Sequence, residues 1–185
     1  MITIFSDNNK NNINYNNSQR YMDFYKLISS GYNELYGKEQ EIKFNIIKEN
    51  LNIQNNDLLL DVGCGTGISN FNCNIIGIDP SIELLRQNKP LDHISNRIMA
   101  RAENIPFKDN TFDKVISVTS MHNFNDIEKG INEIKRVGKE DFAFSILKKS
   151  VLFDSIKRKI NENFNIRKII DGKKDWVFIC SKVFK

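Results

Sequence analysis

The sequence predicts an α/β fold built on a doubly wound, mostly parallel sheet of seven strands, with a C-terminal antiparallel β-hairpin. Three observations predict it. Short apolar runs bounded by turn residues, Leu58-Leu59-Leu60-Asp61-Val62 and Ile75-Ile76-Gly77-Ile78-Asp79, read as strands buried on both faces. Helical patterns alternate with such runs along the chain, as parallel strands joined by crossovers require. A glycine-rich run, Gly63-Cys64-Gly65-Thr66-Gly67, follows the first strand directly, at the sheet edge where such folds bind ligands.

Residues 1–19 read as a flexible tail, because 7–19 (DNNKNNINYNNSQ) has too little apolar surface to offset ordering. Residues 20–185 read as one domain, with 20–50 as an N-terminal helical lid. Tyr21, Phe24, Tyr25 and Ile28 fall at helical spacing, and Ser30-Gly31 interrupts them. A second helix is predicted from about Gly37 to Asn50, with Ile42, Ile46 and Ile47 on one face. The first strand follows, the glycine run opens a clipped helix, and 75–79 is the second strand. Ser81 to Asn88 is a short helix entered through Pro80. Arg97 to Ala102 and Thr111 to Thr119 are the third and fourth strands. Asn125 to Val137 is a helix that Asn125 can cap, with Glu128 three residues on and Gly138 past its end. Phe142 to Leu147 is the fifth strand, and Ser150 to about Asn163 the last helix. Ile166 to Ile170, Asp171-Gly172 and Asp175 to Val183 form a hairpin that adds one antiparallel edge strand.

Composition narrows the function. The chain has 185 residues and is 40% hydrophobic, enough for one domain with a real core. It contains no uninterrupted apolar run long enough to span a membrane, and the N-terminus shows no secretory pattern. Three scattered cysteines, Cys64, Cys73 and Cys180, argue against a disulfide framework or a zinc site. With His93 and His122 the only histidines, no metal centre is expected, and the expected setting is a reducing cytoplasm. The net charge of +4 is uneven. Lys148 to Lys185 holds eleven Lys and Arg against four Asp and Glu, a surplus of +7, while the rest of the chain carries −3. Two readings stand: a basic third that attracts an anionic partner such as nucleic acid, or a solvated lysine-rich face.

The glycine spacing carries the chemistry. Glycines let the backbone turn tightly and approach a ligand without Cβ clashes. A dinucleotide loop wants G-x-G-x-x-G, but residue 68 is Ile. Asp61, just before the glycines, is poor company for a pyrophosphate and suits a cationic ligand. Asp79 closes the second strand 18 residues later, where an acid commonly holds ribose hydroxyls.

LDVGCGTG, GIDPS, AENIPFKDNTFD and INEIKRV, in this order, resemble class I, Rossmann-like methyltransferases of the type 11 branch. Tyr32 to Gln40 is similar to the leader of small archaeal-type members. The resemblance covers roughly Tyr21 to Lys185 and implies S-adenosyl-L-methionine as cofactor. It implies that Asp61, with the Gly63 and Gly65 backbone, meets the methionine moiety. Asp79 would take the ribose hydroxyls, and Pro80 or Ser81 would flank the adenine. Ala102 would give its N–H to the adenine ring with Glu103 beside it, and Thr119 would line the sulfonium end. The sequence departs from the family where Arg101 replaces an adenine-binding acid, and where the stretch between Asp61 and Asp79 is about one helical turn short.

Other residues carry two readings each. His122 is a candidate general base or substrate contact, or a histidine that packs or caps the next helix. Tyr32 and Tyr36 fold over the cofactor as a lid, or pack into the core. Trp176 reads as core more readily than as a substrate platform. Lys148 and Lys149 meet an anionic substrate, or are surface lysines. Cys64 lies inside the glycine loop and is no nucleophile. No Asn-Pro-Pro-Tyr-like motif follows the fourth strand, and no Pro-Cys pair or appended RNA-binding domain occurs, which disfavours adenine-amino and cytosine C5 acceptors. The expected activity is methyl transfer to an unidentified acceptor; type 11 relatives lean toward small molecules. The alternatives are a non-catalytic cofactor-binding partner subunit, or a tRNA or protein methyltransferase that needs a partner. The glycine spacing rejects a nicotinamide dehydrogenase.

Overall fold

The computed structural model describes residues 32–87 and 96–183. The expected tail over 1–19 and the first aromatic helix around Tyr21 lie outside them. Seven strands form one sheet in the order β3-β2-β1-β4-β5-β7-β6. They are β1 Leu58–Val62, β2 Asn74–Asp79, β3 Asn96–Met99, β4 Phe112–Val118, β5 Gly138–Leu147, β6 Phe164–Gly172 and β7 Asp175–Lys182. The helices are α1 Tyr32–Asn50, α2 Ile82–Leu85, α3 Ile127–Val137 and α4 Phe153–Asn163, with a 3₁₀ turn at Met121–Asn123.

Alternation along the strands splits the core into two layers. Leu60, Val62, Phe112, Val115, Phe142 and Phe144 face α3 and α4. Leu59, Ile75, Ile116, Val118 and Ala143 face α1 through Ile47 and Leu51. The buried face of α1 runs through Gln40, Lys43, Ile47 and Leu51, so the expected stripe of Ile42, Ile46 and Ile47 is rotated, and Ile42 is only half-buried.

Four further expectations are corrected. No helix follows the glycine loop: residues 63–73 form only turns and bends. Three positive-φ glycines and few apolar residues leave this eleven-residue link no room for a helix and a return. Phe71 fills the space instead, edge-on to Phe44 of α1 with centroids 5.8 Å apart. Helix α3 is capped by Asp126, not Asn125; its carboxylate accepts Lys129 N–H at 2.9 Å. Gly138 does not end the helix in a left-handed turn. It is extended and starts β5, and glycine is needed there because a Cβ would meet the Phe142 ring at 2.4 Å. Finally, β7 is not an edge strand. It runs antiparallel between β5 and β6, and β6 forms the edge.

Strand order reverses between β1 and β4, which both pair in parallel with their neighbours. The carboxyl ends of β1, β2 and β4 therefore open a crevice at the switch point. Among the described residues no helix is long and apolar enough to cross a membrane.

Candidate functional site

The glycine loop is shaped by backbone that only glycine adopts freely. Gly63, Gly65 and Gly67 have φ of 80°, 56° and 78°. A Cβ on Gly63 would fall 2.4 Å from Ser120 Cβ, so the loop after β4 packs directly on the glycine loop. The Ser120 hydroxyl fixes this contact by donating to the Val62 carbonyl at 2.9 Å.

Asp79 organises the crevice. One carboxylate oxygen accepts Gly65 N–H at 2.9 Å and the other accepts Ser81 N–H at 2.8 Å. Ser81 caps α2 by accepting Leu84 N–H. Burial pushes the Asp79 carboxyl up to about 6, against the opposing pull of the Ser81 and Gly65 amides. Asp61 is buried behind the loop. Burial raises it to about 7, the Ser69 hydroxyl opposes the rise, and the Asp79 charge adds to it.

A cleft of about 740 Å³, counted with its open mouth, lies over these residues. It is lined by Gly63, Gly65, Asp79, Pro80, Ala102, Glu103 and Thr119, with Ser81, Leu84, Arg101, Ser120 and Phe124. The structure thus gathers seven of the eight expected cofactor residues in one crevice; Asp61 sits behind it, outside the lining. Glu103 has a second task that the sequence did not suggest. Its carboxylate accepts the N–H groups of Asn125 and Asp126 and braces the start of α3. The AENIPF and INEIKRV blocks meet here: Arg136 donates to the Phe107 and Ile105 carbonyls, and Glu133 accepts Ile105 N–H.

His122 stands in the 3₁₀ turn and is absent from the cleft lining. Burial lowers its pKa, the Asp175 charge opposes the lowering, and the Lys43 charge adds to it. Its Nδ1 is buried without a hydrogen-bond partner among the described residues. The backbone of Tyr32 and Tyr36 belongs to the first turns of α1, but their side chains lie outside the described residues. Trp176 packs against the core with the Lys148 ammonium 4.5 Å from its ring centroid.

Sequence reading missed one cluster. Lys43 and Asp175, both fully buried, approach at 3.2 Å. Lys43 also donates to Thr119 Oγ1 at 2.8 Å and Glu39 at 3.1 Å. Thr119 itself has φ of 54°, a left-handed conformation that costs a β-branched residue about 1–3 kcal/mol and persists only where the surroundings enforce it.

The donor set fits a nucleoside without phosphate. A buried acid suits a ribose diol, apolar walls from Pro80, Leu84, Ala102 and Phe124 suit a base, and no helix N-terminus stands behind the loop to attract a pyrophosphate. Fold and crevice together define a doubly wound protein that holds a nucleoside-type cofactor at its switch point.

Comparison with known proteins identifies which one. Residues 60–146 match the type 11 methyltransferase domain. An uncharacterized protein of Methanocaldococcus jannaschii is 30% identical over 175 residues, covering 82% of this chain and 66% of the relative. YrhH of Bacillus subtilis, a protein assigned as a methyltransferase, is 30% identical over 138 residues, covering 67% of this chain and 72% of its own length. The chain belongs to this family of S-adenosylmethionine-dependent methyltransferases. It spans 66% of the archaeal relative and about a third of the vertebrate arginine-hydroxylases it also matches. Two solved structures share the fold. One is a Haloferax volcanii methyltransferase in complex with the Trm112 activator, with TM-score 0.74 and 11% identity over 86% of this chain and 98% of that one. The other is the Synechocystis magnesium protoporphyrin IX methyltransferase with bound cofactor, with TM-score 0.71 and 13% identity over 94% of this chain and all of that one.

Proposed function

We propose that this chain transfers the methyl group of S-adenosylmethionine to an acceptor that arrives past the carboxyl end of β4. The observation that carries this reading is Asp79: a buried carboxylate that braces the glycine loop and still faces the cleft. When bound, the cofactor supplies a methyl carbon already activated by its sulfonium, so the protein's work is alignment and exclusion of water. Asp79 holds the ribose hydroxyls, with Pro80 and Ala102 against the base. The Gly63 and Gly65 backbone holds the amino-acid end, and the Asp61 charge behind it favours a cation. Glu103 orients the cleft corner through its hold on α3.

Toward the acceptor, His122 is the candidate base. Burial lowers its pKa and so favours the neutral ring, the form a general base needs. Tyr32 and Tyr36, at the start of α1, are the candidate lid. A small-molecule acceptor is the favoured class. A second reading, in which the chain works with a protein partner, is favoured by its likeness to the Haloferax chain that is complexed with an activator.

The test incubates the protein with tritium-methyl S-adenosylmethionine and fractionated extract, using Asp79→Ala as the blank. Label above the blank is expected in a small-molecule fraction. Label only in RNA or protein overturns that acceptor class. No label in any fraction, with cofactor binding intact, favours the partner-dependent or silent subunit.

A further inference from the structure

We propose that Lys43, delivered by α1, is a positioning residue for the cofactor: it fixes Thr119 in its left-handed turn and thereby shapes the cleft wall at the amino-acid end of S-adenosylmethionine. This rests on the reading above, with adenosine at Asp79 and the amino-acid end against the Gly63 and Gly65 backbone, on which Ser120, the residue after Thr119, packs.

The hydrogen bonds account for the turn. The Lys43 ammonium donates hydrogen bonds to Thr119 Oγ1 at 2.8 Å and Glu39 Oε1 at 3.1 Å, and it forms an ion pair with Asp175, whose Oδ1 lies 3.2 Å away. Because Thr119 Oγ1 accepts from Lys43, its own proton goes to Asp175 Oδ2 at 2.8 Å. Ser145 donates to the same carboxylate oxygen at 2.8 Å, and Thr119 N–H donates to the Ser145 carbonyl at 3.0 Å. Thr119 is therefore gripped from α1, β5 and β7 at once. Rotating it out of its left-handed conformation breaks all these bonds.

Thr119 is also a partition. Thr119 lines the cleft, and its hydroxyl bonds into the buried cluster of Lys43 and Asp175. The next residue, Ser120, fills the space against Gly63. A displaced Thr119 thus carries Ser120 and the glycine loop with it. The adenosine end is held separately, by Asp79 bonded to Gly65 and Ser81. Helix α1 is in this way part of the cofactor wall, tied down further where Glu39 reaches Lys174 beside β7.

Removing Lys43 should damage one end of the cofactor site and spare the other. The probes are S-adenosylhomocysteine and 5′-methylthioadenosine, which lacks the amino-acid end, each titrated calorimetrically. Lys43→Met is expected to weaken S-adenosylhomocysteine about tenfold and methylthioadenosine less than twofold. Because Lys43→Met strands the buried Asp175, Thr119→Val serves as the second variant: it keeps the ion pair, removes the hydroxyl, and is expected to give the same split. Equal weakening of both probes, or no change in either, overturns the proposal. Asp79→Ala separates the premise from the inference. Weakening of both probes there, without a split in the Lys43 and Thr119 variants, leaves the cleft reading standing and removes Lys43's role. No effect of Asp79→Ala on either probe overturns both.

Discussion

Asp61 and Asp79 are held in the folded chain where a carboxylate is least comfortable. For Asp61, raised to about 7 by burial, the sign is clear. A proton is bound more tightly folded than unfolded, so the carboxyl's contribution to stability is full below about pH 4 and is lost as pH rises through 7. Asp61→Asn removes this loss. Its melting temperature should gain on that of the unsubstituted protein as pH goes from 4 to 8, by up to about 4 kcal/mol in stability, while its affinity for S-adenosylhomocysteine falls. A melting difference flat across that range would show that Asp61 is not strained by burial. Such a trade of stability for binding is expected at a working site. The acids and glycines were legible because each sits at a strand end in a fixed order. Lys43 and Asp175 were not, since lysine on a helix ordinarily points to water. The one local signal was that Lys43 stands four residues before Ile47, on the same helical face, beside a Gln40 that is also buried.

Helix α3 shows what a capping pattern can and cannot decide. Asn125 and Asp126 are both good caps by residue type, and sequence reading took the first. The structure uses the second because Glu103, on the other side of the cleft, holds the N–H groups of both residues and sets the entry of the chain. Asp126→Ala should therefore cost about 1 kcal/mol and lower the melting temperature by about 2–4 °C. Asn125→Ala should leave it unchanged, and thermal melts of the pair decide. A drop for Asn125 instead would return the cap to the earlier residue. The same scale explains the lost helix after the glycine loop. Family spacing foresaw a clipped helix, but the link from 63 to 73 has no helix at all, and Phe71 against Phe44 does its packing. Strand existence was legible from apolar runs. The inward place of β7 was not, because a hairpin's own sequence does not say which of its strands meets the sheet.

Over the whole molecule, the uneven charge is the feature the fold reinterprets. Counted along the chain, the C-terminal segment from Lys148 looks like a basic patch. In the structure it borrows acids from elsewhere: Arg167 pairs with Asp141, Lys159 with Glu128 and Lys174 with Glu39, while Lys148 and Arg158 pair with Asp171 and Glu162 of their own segment. Lys168 and Lys182 donate to Asn50 and Asn110. Lys149, Lys157, Lys168, Lys173 and Lys182 in this segment have no ion-pair partner among the described residues. Five lysines neutralise at most about five phosphates, and each contributes roughly 0.7–0.9 to the slope of log affinity against log salt. Titrating a generic single-stranded or duplex RNA between 50 and 200 mM salt should therefore give a slope no steeper than about −4.5, and substitution of all five lysines by Ala should flatten it further. A slope near −6 or beyond would mean that the ion pairs open to receive phosphate, and that the basic third is a nucleic-acid surface after all. A shallow slope leaves the cleft and the face above His122 as the place where specificity is built, which is where a small acceptor would be read.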